Sequence, residues 1–416
     1  MAKQEAANQA AATHAATRRE ELALVLTGGG ARAAYQAGVL RAIARAHPNL
    51  SPSILTGTSA GAINAAFLAN HTGSFEEAVT DLCKLWQGLE LDNVFDSRAL
   101  PLIKRAARLG LRLVLGSTRG EPRVQGMVDT RPLREYLLAA YGDKSGALPG
   151  IAANLMAGRC RAIALTTLRY TTGQTVTFFA GEGIQAWERP NRVSVRTNLL
   201  VDHVMASAAL PFFFPAVELQ GSYYGDGGIR LVAPLAPALH LGATRILALS
   251  TRYARSRDEA DRPSFSGPPS PAQIAGILYN AIFLDSLEQD VLNLERINRL
   301  LASTPQVENS ELRPVELALV RPSCDLGALA STYEPALPRA FRFLTRRLGT
   351  RRSRTQDFLS TVMFQRDYIA NLLAIGEADG ATRAGELGRL LASRASDAGR
   401  DESFSKAPGG RGTTLG

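Results

Sequence analysis

The stretch Ile54-Leu55-Thr56-Gly57-Thr58-Ser59-Ala60-Gly61-Ala62-Ile63 constrains the fold more than any other part of the chain. A short apolar run leads into a turn with glycine at both ends, and the small-residue sequence AGAINAAFLAN follows. That order predicts a buried strand, a sharp turn and a helix, with the Ser59 hydroxyl presented at the apex. Gly57 and Gly61 lack the side chains that would crowd strand against helix. The positive end of the helix favours negative charge beside Ser59.

The residues upstream repeat the pattern. Leu22 to Leu26 read as a buried strand, Thr27-Gly28-Gly29-Gly30-Ala31-Arg32 as a glycine-rich turn, and Ala33 to Ala46 as a helix stopped by Pro48. A strand at 53–56, the serine turn and a helix to about Asn70 come next. Strands alternating with helices over short connections predict an α/β fold with three layers, α/β/α, around a mainly parallel central sheet. Neighbouring parallel strands then bring Gly28–Gly30 and Ser59 to one sheet edge, where such sheets bind ligands.

Downstream, 75–88 reads as an amphipathic helix. Asp129-Thr130-Arg131-Pro132-Leu133 reads as a capped helix start. No acid lies between Asp96 and Glu121, and Lys104, Arg108 and Arg112 share one helical face, either a solvated face over a core stripe or a membrane-surface helix. Strands are expected at 161–168, 174–179 and 245–250, a hairpin at 216–224, and helices at 201–208 and 234–242. The chain divides into a tail (1–20), an α/β domain that carries both glycine turns (21–260), a Pro/Ser-rich linker (261–271), a mostly helical region packed on that domain (272–395) and a second tail (396–416). Within 272–395, helices are expected at 272–302, 335–348 and 356–377, and a strand at 314–320. Both tails are expected to be disordered.

Composition narrows the partners. The 416 residues carry a formal charge of +9, compatible with an anionic membrane surface, and Arg342–Arg354 is the densest basic run. Aromatics make up 6% and do not interleave with the arginines, so no nucleic acid is expected. Three scattered cysteines and no apolar run of spanning length point to a cytoplasmic protein, peripheral at most at the inner face of a membrane. Oligomeric state leaves no mark in the sequence.

A serine becomes a nucleophile only when a base takes its proton and the developing oxyanion is stabilised. The amides of Gly29, Gly30 and Ala31 can converge on one oxygen. The base is harder to assign. Of five histidines, His14, His47, His71, His203 and His240, none lies in the last 176 residues, whereas an α/β-hydrolase triad places its histidine late. A carboxylate held against the serine can serve directly, and Asp226, in Gly225-Asp226-Gly227-Gly228 after an apolar strand, is the best candidate.

Taken together, Gly28-Gly29-Gly30-Ala31-Arg32, Gly57-Thr58-Ser59-Ala60-Gly61, Ala206-Ser207-Ala208-Ala209-Leu210-Pro211 and Asp226-Gly227-Gly228 resemble the ordered motifs of the patatin-like phospholipases over roughly residues 22–240. Thr27 and Ala33 depart from the residues many members carry there. The resemblance implies a Ser59–Asp226 dyad without histidine, Ser59 as nucleophile and Asp226 as base. It also implies an oxyanion hole from Gly28, Gly29, Gly30 and Ala31, with Arg32, Gly57, Gly61, Gly227 and Gly228 in support. Arg32 would brace the loop or meet a lipid phosphate. The implied activity is cleavage of fatty-acyl esters of phospholipids or lysophospholipids, with a lipid substrate and neither metal nor organic cofactor. Two alternatives are a non-catalytic lipid-binding protein on this fold and a dinucleotide-binding protein. The second lacks the acid its ribose contact needs, since no Asp or Glu lies between Glu21 and Glu76.

Overall fold

A computed structural model describes residues 21–95, 126–261, 286–303, 312–338 and 357–391, with a few single positions between them. Both tails, the acid-free stretch after Asp96, the linker and most of the basic run after Arg342 lie outside the described residues.

Among the described residues, ten strands form one sheet: β1 (Leu22–Leu26), β2 (Ile54–Thr58), β3 (Ala162–Arg169), β4 (Gln174–Gly181), β5 (Glu188–Arg189), β6 (Arg192–Arg196), β7 (Val217–Leu219), β8 (Ser222–Asp226), β9 (Arg245–Leu249) and β10 (Glu316–Val320). Their order is β10-β9-β1-β2-β3-β4-β6-β5, and the first five pair in parallel. The helices used below are α1 (Ala33–Ala46), α2 (Ala60–Asn70), α3 (Phe75–Gly88), α4 (Arg131–Tyr141), α5 (Val201–Ser207), α6 (Ser286–Ser303), α7 (Asp357–Val362) and α8 (Arg366–Thr382).

The period of two in β1 sets the layers. Leu22, Leu24 and Leu26 enter one core with α1, α2, α3 and α8, whereas Ala23 and Val25 enter a second core with Ala238, Leu287, Val291 and Leu294. A strand covered on both faces can be apolar throughout, which is why 22–26 lacks alternation. The architecture is the three-layer α/β/α arrangement.

Register places the two strand ends that matter. β2 pairs with β3 as far as Thr58 opposite Thr166. β8 runs the other way along the same β3, with Asp226 opposite Thr167. The two strands occupy one lane of the sheet and meet end to end, so Ser59 and Asp226 emerge facing each other.

The C-terminal residues differ from expectation in three places: an unexpected helix spans Leu326–Tyr333, a short 3-10 turn spans Glu334–Ala336 where a helix is read from 335 (most of 339–348 lies outside the described residues), and 356–377 is not one helix. The single helix read at 356–377 is two, α7 and α8, separated by Met363-Phe364-Gln365. The residues at the break are packed inside, since Met363 and Phe364 are both buried. Beyond the break, α8 lies along α1 at backbone contact. A Cβ at Gly38 would strike the Leu373 carbonyl, and one at Gly376 the Tyr35 carbonyl. Gly376→Leu is therefore expected to destabilise the protein by about 1–3 kcal/mol, read as a lower urea midpoint at unchanged m value. An unchanged midpoint would show that α8 is not held against α1 in solution.

Candidate active site

The serine turn is strained. Ser59 has φ 57° and ψ −132°, in a region an L side chain rarely adopts, at a cost of roughly 1–3 kcal/mol. Neighbours hold it there. Gly61 lets α2 start immediately: its Cβ would strike the Leu26 carbonyl at the end of β1. The Ser59 N–H donates to Ser207 Oγ at 3.0 Å, and Ser207 Oγ donates to the Thr166 carbonyl at 2.6 Å. Ser207 thus ties the turn to β3 through the end of α5.

Ser59 Oγ donates to Asp226 Oδ2 at 2.6 Å, in a position where Asp226 is fully buried. The other carboxyl oxygen, Oδ1, accepts from the Gly228 N–H at 2.8 Å. Burial pushes the Asp226 carboxyl up to about 7, although the hydrogen bonds from Ser59 and Gly228 pull the other way. Desolvation wins because the group has lost all its water and gained two donors. Gly227 is required beside it, since a Cβ there would meet the Thr166 carbonyl of β3.

The histidines stand apart from this pair. His203 Nδ1 accepts from the Leu200 N–H at 3.0 Å and its ring packs on Phe178. His240 stacks on Trp187. His71 pairs with Asp81. His47 ends α1, and His14 lies outside the described residues.

The glycine loop lies against the serine. A Cβ on Gly28 would come within 2.8 Å of Ser59 Cβ, so only glycine permits this approach. Gly29 and Gly30 follow with φ 153° and 56°, and among the described residues neither amide donates to a backbone carbonyl. Ala31 is buried in the short turn that leads into α1. The loop is clamped from outside: Thr251 Oγ1 donates to the Gly28 carbonyl at 2.6 Å, and Gln36 Nε2 to the Thr27 carbonyl at 2.9 Å. Arg32, only 2% exposed, points away from the serine into the C-terminal segment. Its Nε donates to Ser360 Oγ at 2.6 Å, and its Nη2 to Asp357 Oδ1 and, at 3.2 Å, to the Asp357 carbonyl. Here it braces the loop.

Two cavities meet at Ser59. One, about 440 Å3 with its mouth, is apolar and is walled by Ile63, Trp86, Leu133, Leu210, Val362 and Phe364. The other, about 420 Å3 with its mouth, has a polar floor that includes Thr58, Gly228, Ser250, Thr251 and Arg252. The structure therefore brings together Gly28, Gly29, Gly30, Ala31, Gly57, Ser59, Gly61, Asp226, Gly227 and Gly228, with Arg32 behind them. Residues without an assigned role in the sequence also take part: Ser207, Thr251, Asp357, Ser360 and Phe364. Ser207 lies in the Ala-Ser-x-Ala block and was findable there. The Arg32 partners sit 325 and 328 positions away, where no local pattern points to them.

The profile of the family described as patatin-like phospholipase matches residues 24–239. No curated protein matches the chain. Among solved structures, human GIVD cytosolic phospholipase A2 in complex with methyl gamma-linolenyl fluorophosphonate is 15% identical with a TM-score of 0.43, over 89% of this chain and 58% of that one. VipD from Legionella pneumophila is 12% identical with a TM-score of 0.34, over 86% of this chain and 67% of that one. ExoU in its complex with SpcU from Pseudomonas aeruginosa is 15% identical with a TM-score of 0.23, over 87% of this chain and 76% of that one. The chain thus spans less than two thirds of the human enzyme. The profile match covers more than half of the residues and contains the glycine loop, the serine turn and the aspartate, so the chain belongs to the patatin-like phospholipase family.

Proposed function

We propose that this protein is a serine acyl hydrolase that cleaves fatty-acyl ester bonds of phospholipids or lysophospholipids through a Ser59–Asp226 dyad. The observation that carries the reading is the 2.6 Å hydrogen bond from Ser59 Oγ to a fully buried carboxyl. In this mechanism Asp226 accepts the Ser59 proton as Oγ attacks the acyl carbonyl. The tetrahedral oxyanion is held by amides of the loop Gly28, Gly29, Gly30 and Ala31. The C–O bond to the alcohol then breaks, and the alcohol oxygen leaves with the proton from Asp226. A water, deprotonated by the same carboxylate, attacks the acyl carbon; the bond from that carbon to Ser59 Oγ then breaks, Oγ takes the proton back from Asp226, and the fatty acid is released. The apolar cavity beside Ser59 suits an acyl chain, and this chemistry requires no metal or organic cofactor.

Desolvation tunes the base. An ordinary aspartate, with a pKa near 4, is a weak acceptor for a serine proton, and one near 7 is better matched to neutral pH. The site operates at a lipid surface, and we place it at the cytoplasmic face. No helix of the described residues is long and apolar enough to cross a membrane.

Ser59→Ala and Asp226→Asn are each expected to lower hydrolysis of long-chain acyl esters by roughly 10^3-fold or more, with Ser59→Ala also abolishing labelling by a fluorophosphonate. Full turnover by folded Asp226→Asn would remove the dyad. A comparable loss on changing His203, with folding intact, would point to a triad instead.

The pH dependence has two signs. Activity needs the carboxylate, so kcat/KM is expected to fall about tenfold per pH unit below an apparent pKa near 7. Stability runs the other way. The folded-state pKa lies above the unfolded value, so Asp226 contributes stability that is present below about pH 4 and is lost as pH rises through about 7. Asp226→Asn should flatten that part of the denaturation free energy against pH. A wild-type kcat/KM independent of pH between 5 and about 8 would rule out a base of this kind.

A further inference from the structure

Each of the two cavities at Ser59 has an apolar side chain standing in solvent on its rim. Leu210 and Phe214 line the apolar cavity, and Phe212 between them is 69% exposed. Leu231 and Pro234 line the polar cavity, and Val232 between them is 70% exposed.

Phe212 is held outward against its own backbone preference. Its φ is 63°, in the left-handed region that a bulky L residue rarely adopts. The rest of the turn is pinned. The Met127 N–H donates to the Phe212 carbonyl and the Val128 N–H to the Phe213 carbonyl, both at 3.1 Å. The Phe214 N–H donates to the Leu210 carbonyl at 2.8 Å. Phe213 turns inward, edge-on to Phe95 with ring centres 5.3 Å apart. Strain of this kind costs free energy, and a ring left in water does not offset it. Glycine would hold the same turn without either penalty. A strained, exposed phenyl on the rim of a cavity fits a partner outside the folded chain that takes the ring out of water.

Charge beside the turn points to the kind of partner. The described chain stops at Phe95, against Phe213, and resumes at Gly126, where a Cβ would lie 2.6 Å from the Phe214 carbonyl carbon. The sequence from 97 to 120 holds six basic residues and no acid. Arg230, two residues before Val232, is exposed, with Nη1 on the Gly173 carbonyl at 2.7 Å. An aromatic ring in solvent beside basic sequence suits the interface of an anionic bilayer, where rings sit at headgroup depth and basic residues meet lipid phosphates. We propose that the rim carrying Phe212 and Val232 docks on anionic membrane, with the Phe212 ring entering the interface and both cavities facing the lipid. The proposal rests for its purpose on the acyl-hydrolase reading of Ser59: a docked rim lets a fatty-acyl ester pass from bilayer to serine without crossing water.

The test is sedimentation of the full chain with vesicles of phosphatidylglycerol and phosphatidylcholine in equal parts, beside vesicles of phosphatidylcholine alone. Partition onto the mixed vesicles is expected to fall about tenfold in Phe212→Gly and in Phe212→Ser, as for the loss of one buried ring. Phe212→Gly should also raise the urea midpoint at unchanged m value, because the strain is gone. Turnover of vesicle phospholipid should fall with partition, while kcat/KM for p-nitrophenyl butyrate in solution stays within about twofold of wild type. Partition unchanged within about twofold in both variants would overturn the proposal. A lower urea midpoint in Phe212→Gly would also overturn it, by showing that the ring is packed against its own chain. Equal wild-type partition onto the neutral vesicles would overturn the anionic partner. A wild-type dimer that dissociates in Phe212→Ser would assign the rim to a second copy instead. None of these results touches the hydrolase reading, which p-nitrophenyl butyrate reports on its own. If wild type cleaved no ester yet bound vesicles through Phe212, the hydrolase reading would fail and the docking surface would stand.

Discussion

Everything at the edge of the sheet depends on a hydroxyl meeting a fully buried carboxyl. Bringing an aspartate to that position costs several kcal/mol if it arrives charged and unpaired. Two donors, Ser59 Oγ and the Gly228 N–H, offset part of the cost, and the rest appears as the raised pKa of Asp226. The arrangement is possible because β2 and β8 share one lane against β3. Two strands that end head to head place their next side chains a single hydrogen bond apart. No loop has to search for the partner.

The glycine loop cannot hold itself in shape, and the molecule surrounds it with clamps. Thr251 holds the Gly28 carbonyl, Gln36 holds the Thr27 carbonyl, and Asn64 Nδ2 donates to Gln36 Oε1 at 2.9 Å. Trp86 Nε1 in turn donates to Asn64 Oδ1 at 2.7 Å. A buried, connected polar network of this kind fixes one arrangement, because any slip leaves a donor or acceptor without a partner in a dry core. The chain runs from the loop through α1 and α2 into α3, so three helices share the position of one turn.

Much of this was legible in the residues, and the boundary between what was and what was not is physical. The elements that carry Gly28–Gly30 and Ser59 were readable because strand, turn and helix follow each other within a few residues and each has a local signal. Asp226 was readable as a carboxylate between glycines, but its distance to Ser59 was not. That distance is set by the β3 register, a pairing across 167 positions between the two residues. Ser207 was visible inside a motif without its role, since a hydrogen bond to the backbone of Ser59 leaves no trace in spacing. The break between α7 and α8 was missed because 356–377 carries no proline or glycine at Met363–Gln365, and the burial of Met363 and Phe364 is tertiary packing that a local pattern does not carry.

The C-terminal segment is more than a cover for the sheet. β10 extends the sheet beside β9 in parallel, α8 lies at backbone contact with α1, and α7 reaches the loop itself. A Cβ at Gly30 would strike the Thr361 carbonyl, so α7 and the glycine turn are fitted to one another without slack. Arg32 supplies the polar half of the same contact through Asp357 and Ser360. The apolar half is Val362 and Phe364, which wall the cavity beside Ser59. A segment that both braces the loop and shapes the adjoining cavity couples the two geometrically. Moving α7 by an ångström would change the room beside Ser59 and the position of Gly30 together. The residues after the matched family profile, which ends at 239, therefore belong to the site as much as the motifs within it do.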